Sequence, residues 1–321
     1  MISNIIIVLF LLTLSENASS ILTGRLYAVN QTAKSSWFGM IENESKNFDE
    51  QIELGEVWYA SGPCATRSIN SEQYTIVYLR DTVFHPLDYH LLTIDVTNSQ
   101  KPKILNDITL DKSINGSFLQ ISDDDKQFIG IKTIVGTRAQ IELATINKTT
   151  GQINVMGFYP YGGIFIEMNF VRQHRLYYVL HDSKLIYGIN VDTGNVDVDI
   201  VIPNGYSLQG LIYDSIKDRL LTFAYSENYT QPAFALAEIV IKKNSTNFQI
   251  QPIGNPIIPS VGYAWFFAYA VAVKERQWIS LWMDDETSEY RFISVDLDNG
   301  SIVTNQTMKS VSNLIGLVYF Q

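Results

Sequence analysis

Seven aromatic residues stand in four short stretches rich in Gly and Pro. These are GEVWYASGP (55–63), GFYPYGG (157–163), IPNGYSLQG (202–210) and IPSVGYAWFF (258–267), carrying Trp58, Tyr59, Tyr159, Tyr161, Tyr206, Tyr263 and Trp265. Tyr and Trp offer a flat apolar face with a polar tip, which suits sugar rings or peptide side chains. The same rings would also serve as packing between structural units, since large aromatics are usually buried. A second group is Glu167 and Asn169, polar residues on one side of the apolar run IFIEMNF. Their oxygens fit a Ca²⁺ site or that of another divalent cation, and they fit equally a satisfied structural hydrogen bond. No third and fourth ligand can be placed from the sequence, and no motif calls for a cofactor. The four histidines, His85, His90, His174 and His181, lie near strand ends, and no Gly-x-Ser-x-Gly elbow marks a nucleophile.

Chemistry of a different kind is written in the asparagines. With 22 Asn and 47 Ser plus Thr in 321 residues, chance gives about three Asn-x-Ser/Thr acceptor sites. The chain has nine: Asn17, Asn30, Asn43, Asn115, Asn147, Asn228, Asn244, Asn299 and Asn305. The N-terminus supplies a matching address. MISNIIIVLFLLTLSENASS combines an apolar run with a small-residue exit, the layout of a secretory signal peptide cleaved after Ser20. The apolar run is too short for a bilayer, which takes about 20 residues, and so is the only other long one, Tyr263 to Val273. The expectation is a secreted or lumenal glycoprotein without a membrane span, whose Asn17 departs with the signal. A net charge of −10 without a dense basic cluster excludes nucleic acid as a partner. Cys64 is the single cysteine, so stability must come from a large packed core and not from an internal disulfide.

These residues need elements to position them, and the elements repeat. Six stretches, 37–54, 91–107, 140–156, 185–200, 234–250 and 291–307, each read as strand, polar turn, strand. Upstream of each lies a further β-rich run in which Arg25, Gln73, Gln127, Arg175, Arg219 and Gln277 hold one slot, at spacings of 48, 54, 48, 44 and 58 residues. Apolar runs such as FLQISDD, IFIEMNF, LQGLIYD and FAYAVAV precede these, with a weaker one around Trp58 to Ala65. A period near fifty with four short strands per repeat predicts an all-β fold, a six-bladed β-propeller filling residues 21–321 as one domain. The first repeat lacks its inner strand, and LIGLVYF (314–320) resembles LQGLIYD (208–214), so the C-terminal strand is expected to join the N-terminal blade and close the ring.

The turn Val191-Asp192-Thr193-Gly194-Asn195-Val196, with looser copies at Asn147 to Ile153 and Asp296 to Ile302, resembles the "D-x-x-T-G-x-V" strand end of quinoprotein-type and YVTN-type propeller repeats. That resemblance implies the propeller fold and marks no activity. Aligned on the repeats, Glu167 falls where other repeats have Ala65, Leu119, Leu211 and Tyr269, and Asn169 where they have Ile121, Tyr213 and Val271. In such a fold the hairpin tips, with Asn43, Asn147, Asn244 and Asn299, lie on one face, and the aromatic stretches ring the opposite mouth. Two functions follow as expectations: an extracellular module binding a protein or carbohydrate at the aromatic mouth, or a lactonase-like hydrolase with a divalent cation in the central channel.

Overall fold

The computed structural model describes residues 22–32, 35–55, 57–58, 65–68, 71–82, 85–110, 120–121, 127–133, 140–160, 166–181, 184–226, 233–241, 248–255, 258–259, 268–284, 289–308, 311 and 314–321. Among them the only helical element is a 3-10 turn, Arg172–His174, and the rest of the regular structure is strand. The proposed signal segment and Cys64 lie outside the described residues.

The strands form six antiparallel sheets in a β-propeller arrangement, each sheet built from strands that follow one another in the chain. The first contains Arg25–Gln31, Ser36–Ile41 and Phe48–Gly55; the second Gln73–Thr82, His85–Asp95 and Lys103–Thr109. Its inner position is shared by two short pieces, Val57–Trp58 and Ala65–Arg67, both paired with Gln73–Thr82. The third runs Gln120–Ile121, Gln127–Thr133, Gln140–Asn147, Ile153–Pro160, and the fourth Ile166–Val171, Leu176–His181, Leu185–Asn190, Val196–Val201. The fifth comprises Tyr206–Asp214, Arg219–Ser226, Ala233–Ile241 and Phe248–Pro252, and the sixth Ala268–Ala272, Gln277–Asp284, Glu289–Asp296 and Ile302–Thr307. The first sheet takes its inner strand from the far end of the chain: Leu314–Phe320 pairs with Arg25–Gln31, Arg25 opposite Phe320 and Asn30 opposite Leu314. All seven residues of that strand are buried.

The hairpin tips share one turn geometry. Asn190 accepts hydrogen bonds on Oδ1 from the amides of Asp192 (2.9 Å) and Thr193 (3.2 Å), and Gly194, at φ +72°, donates back to its carbonyl at 2.8 Å. Asn147 with Gly151 and Asp296 with Gly300 repeat the arrangement. A short polar side chain and a residue free to take positive φ are what such a turn demands.

Every sheet buries both faces. Tyr27 and Phe38 of the first pack on Tyr74, Ile76 and Ile94 of the second, whose Val77 and Leu91 on the opposite face meet Ile146 of the third. Leu143 of the third meets Tyr177 and Val179 of the fourth; Leu180 and Ile186 of the fourth meet Leu208 and Leu220 of the fifth. Phe223 of the fifth stacks obliquely on Trp278 of the sixth with ring centroids 4.4 Å apart. Ile279 and Phe292 of the sixth return to Leu26 and Leu317 of the first. The core is thus distributed as layers between neighbouring sheets. Outer strands face water: Lys103–Thr109 is exposed along almost its whole length.

Candidate functional site

In each sheet the turns between strands one and two and between strands three and four fall at one end, and the remaining connections at the other. The sequence-predicted aromatic mouth is this second end. Tyr59, Tyr161, Tyr263 and Trp265 lie outside the described residues. Trp58, Tyr159 and Glu167 have their backbones placed in strands, opposite Leu79, Ile141 and Leu180 respectively. Tyr206 is fully described. It opens the inner strand of the fifth sheet just after Gly205, whose φ of +88° turns the chain inward. Its carbonyl accepts a 2.6 Å hydrogen bond from Lys184 Nζ, and its half-buried side chain lines an open groove of about 370 Å³ with Pro203, Phe248, Gln249, Ile250 and Gln251. Gln249 and Gln251 are exposed there, so the groove joins aromatic faces to free amide tips.

Asn169 is held by a backbone feature that the sequence concealed. Gly210 sits at φ +72° in the inner strand of the fifth sheet, where the pairing register shifts between Gln209 and Ile212. Out of the ladder, the Leu211 carbonyl accepts from both neighbouring sheets: Asn169 Nδ2 at 3.0 Å from the fourth and Tyr269 Oη at 2.9 Å from the sixth. Gly316, φ +61°, makes the corresponding bulge in the C-terminal strand, and its carbonyl accepts from Tyr74 Oη at 2.7 Å. Asn169 therefore ties inner strands together. With its amide nitrogen so engaged it offers a cation at most its Oδ1, and no group of three His, Cys, Asp or Glu among the described residues is arranged to hold a metal ion. The described donor set does not fit a Ca²⁺ cage.

Charged side chains at the opposite end join the sheets. Asp214, fully buried, accepts from Arg219 of its own sheet (2.8 Å) and from both terminal nitrogens of Arg276 in the next (2.5 and 2.6 Å). Burial alone would raise its pKa, but the hydrogen bonds from Arg276 and Arg219 outweigh it and bring it to about 2. Arg25 reaches Glu72 at 2.5 Å, Lys148 donates to Ser68 Oγ at 2.8 Å, and Tyr319 donates to Glu275 at 2.7 Å, each across a sheet boundary. Arg67 is solvent-accessible yet hemmed in, and these surroundings lower its pKa, the charge of Arg172 acting in the same direction and Tyr319 opposing.

Two histidine clusters escaped the sequence reading. In the second sheet the Tyr78 hydroxyl donates to Asp107 (2.9 Å to Oδ2), His90 Nδ1 lies 2.9 Å from Asp107 Oδ1, and the imidazole stacks on the Tyr78 ring at 5.2 Å. The three residues come from three successive strands, with Tyr78 directly opposite His90 and Asp107 on the diagonal, so only the register brings them together. Between the fourth and fifth sheets, His174 Nε2 lies 3.0 Å from Asp218 Oδ1, which also accepts from Tyr213 Oη at 2.7 Å. His174 and Asp218 occupy the same slot of consecutive repeats, one residue before Arg175 and Arg219. That alignment was the available signal.

No protein-family model matches the sequence, and no curated protein sequence matches it significantly. Among solved structures the chain is similar to a protein of unknown function from Bacteroides caccae, with a TM-score of 0.57 at 9% identity over 93% of this chain and 100% of that one. It is also similar to candidate 6-phosphogluconolactonases from Bacteroides uniformis (TM-score 0.52, 10% identity, 93% and 100% covered) and Bacteroides fragilis (0.50, 10%, 93% and 99%). At such identity these likenesses concern the fold. No helix among the described residues is long and apolar enough to cross a membrane.

Proposed function

We propose that residues 21–321 form one six-bladed propeller, exported after cleavage at Ser20, that binds an extracellular protein or carbohydrate at its aromatic mouth. The blade count rests on the six sheets and on a buried layer between each neighbouring pair. Tyr206 carries the functional reading: an aromatic residue singled out for the mouth stands in an open groove beside Phe248 and two exposed glutamines. Flat rings with adjacent amides bind sugars or extended peptides by stacking and hydrogen bonding together. Asn299 and Asn305, exposed on the sixth sheet, are suited to carry glycans. Asn30, 1% exposed, and Asn43, whose Nδ2 donates inward to Leu22 (3.0 Å) and Gly24 (2.8 Å), are not, because a glycan there would displace packed chain. Asn147 sits at a tip, and Asn115, Asn228 and Asn244 lie outside the described residues. The test is capture on glycan and protein arrays. Tyr206→Ala together with Tyr161→Ala and Trp265→Ala should abolish capture while the melting temperature holds. Capture unchanged in the triple variant overturns the reading.

The alternative is a lactonase-like hydrolase with its site in the channel, which the likeness to lactonase-type propellers keeps in view. Metal content of the purified protein and lactone hydrolysis followed by pH-stat separate the two. A stoichiometric divalent ion with turnover would replace the binding reading.

A further inference from the structure

A second cavity lies between the fourth and fifth sheets at the hairpin-tip end, away from the mouth. It encloses about 170 Å³ and is lined by Val171, His174, Tyr178, Tyr213, Asp218, Arg219, Leu220 and Glu238 to Ile241. That is well below the roughly 300 Å³ at which drug-sized sites begin, so its occupant is small. One wall is apolar: Val171, Leu220 and Ile239 are 1%, 7% and 3% exposed. The other is polar and built. Asp218 is oriented by Tyr213 and His174, and the Tyr213 hydroxyl also lies against the Gln173 amide. Arg219, anchored on Asp214, stands 3.6 Å from Glu238.

Tyr178 decides the matter. Its side chain is 4% exposed, it lines the cavity, and among the described residues its hydroxyl has no hydrogen-bond partner. A buried hydroxyl without a partner costs about 1–3 kcal/mol, so the position asks for one from the cavity side. Charge selects the class of partner. Asp218 and Glu238 oppose an anion, and Arg219 in the same wall opposes a cation. What remains is a neutral molecule with one apolar face and a rim of hydroxyls.

We infer that this cleft is a binding site for a neutral polyhydroxylated ring the size of one sugar residue, with Tyr178, Asp218 and Glu238 meeting its hydroxyls and Val171, Leu220 and Ile239 its C–H face. The site goes beyond the mouth reading and stands on different residues. Saturation-transfer NMR and calorimetry with glucose, galactose, mannose, xylose, N-acetylglucosamine and myo-inositol test it on the full chain. At least one should bind wild type, Tyr178→Phe should weaken that binding about tenfold with the melting temperature unchanged, and Glu238→Gln should weaken it independently. Tyr206→Ala separates the sites. Binding lost with Tyr206→Ala but kept in Tyr178→Phe assigns the sugar to the mouth and overturns the cleft, as does failure of all six compounds to bind wild type.

Discussion

At the scale of single residues, Asp214 shows why a buried charge is retained. Alone, a carboxylate with no solvent exposure would be neutral or excluded. Two guanidiniums from adjacent sheets supply its hydrogen bonds and hold its pKa at about 2, below the ~3.9 of an unfolded aspartate. Because the folded value is the lower one, the stabilisation is complete above about pH 4 and is lost as pH falls from there through about 2. It amounts to about 2.5 kcal/mol at neutral pH. Asp298, bonded by Arg276 and Lys217, is depressed in the same direction and adds to the acid sensitivity. Urea midpoints measured from pH 6 to 2.5 should therefore fall steeply below pH 4 in wild type. Asp214→Asn should cost about 3 kcal/mol at pH 6, because two arginines lose their counter-charge, and its midpoints should fall less steeply in acid. A variant as stable as wild type at pH 6 would show that the ion network contributes nothing.

At the scale of elements, the strands and their order were legible because each strand pair repeats a pattern: alternating apolar residues, then an Asn or Asp, then Gly four residues on. Asn190 with Gly194 and Asp296 with Gly300 turn as their sequences imply. The bulges were not legible. Gly210 and Gly316 read as ordinary glycines in apolar strands, and only the register shows that each swings a carbonyl out toward a neighbouring sheet. Asn169 looked like a site residue for the same reason, since its partner is a backbone oxygen that sequence cannot display. The cleft histidine was hidden differently: His174 and Asp218 are 44 positions apart, a distance that only the repeat length converts into contact. The bulge has a direct test in Gly316→Ala. A Cβ there would lie 2.6 Å from Tyr74 Oη, 2.9 Å from Ile76 Cδ1 and 3.0 Å from Ala65 Cβ, on a backbone at φ +61°. Left-handed strain of about 1–2 kcal/mol and a comparable overpacking term give an expected loss of about 2–4 kcal/mol. Chemical denaturation measures it, and a loss under 1 kcal/mol would mean that the strand shifts register instead of holding the bulge.

At the scale of the molecule, stability depends on a contact between the two ends of the chain. No layer of the core belongs to one sheet alone, so a sheet missing its inner strand exposes residues on both flanks. Leu314–Phe320 supplies Leu314 and Leu317 to the layer with the sixth sheet, and Ile315, Val318 and Phe320 to the layer with the second. Removing residues 314–321 would open both layers and bare the edge of Arg25–Gln31, whose unpaired amides invite another chain. The truncated chain should leave the monomer peak on gel filtration for larger species and lose its cooperative melt. A synthetic peptide of residues 314–321 added during refolding should restore part of the monomer, since a strand can be donated in trans when its edge and side-chain sites are otherwise complete. A truncated monomer that melts cooperatively at the wild-type temperature would mean that the six sheets hold together without this closing strand.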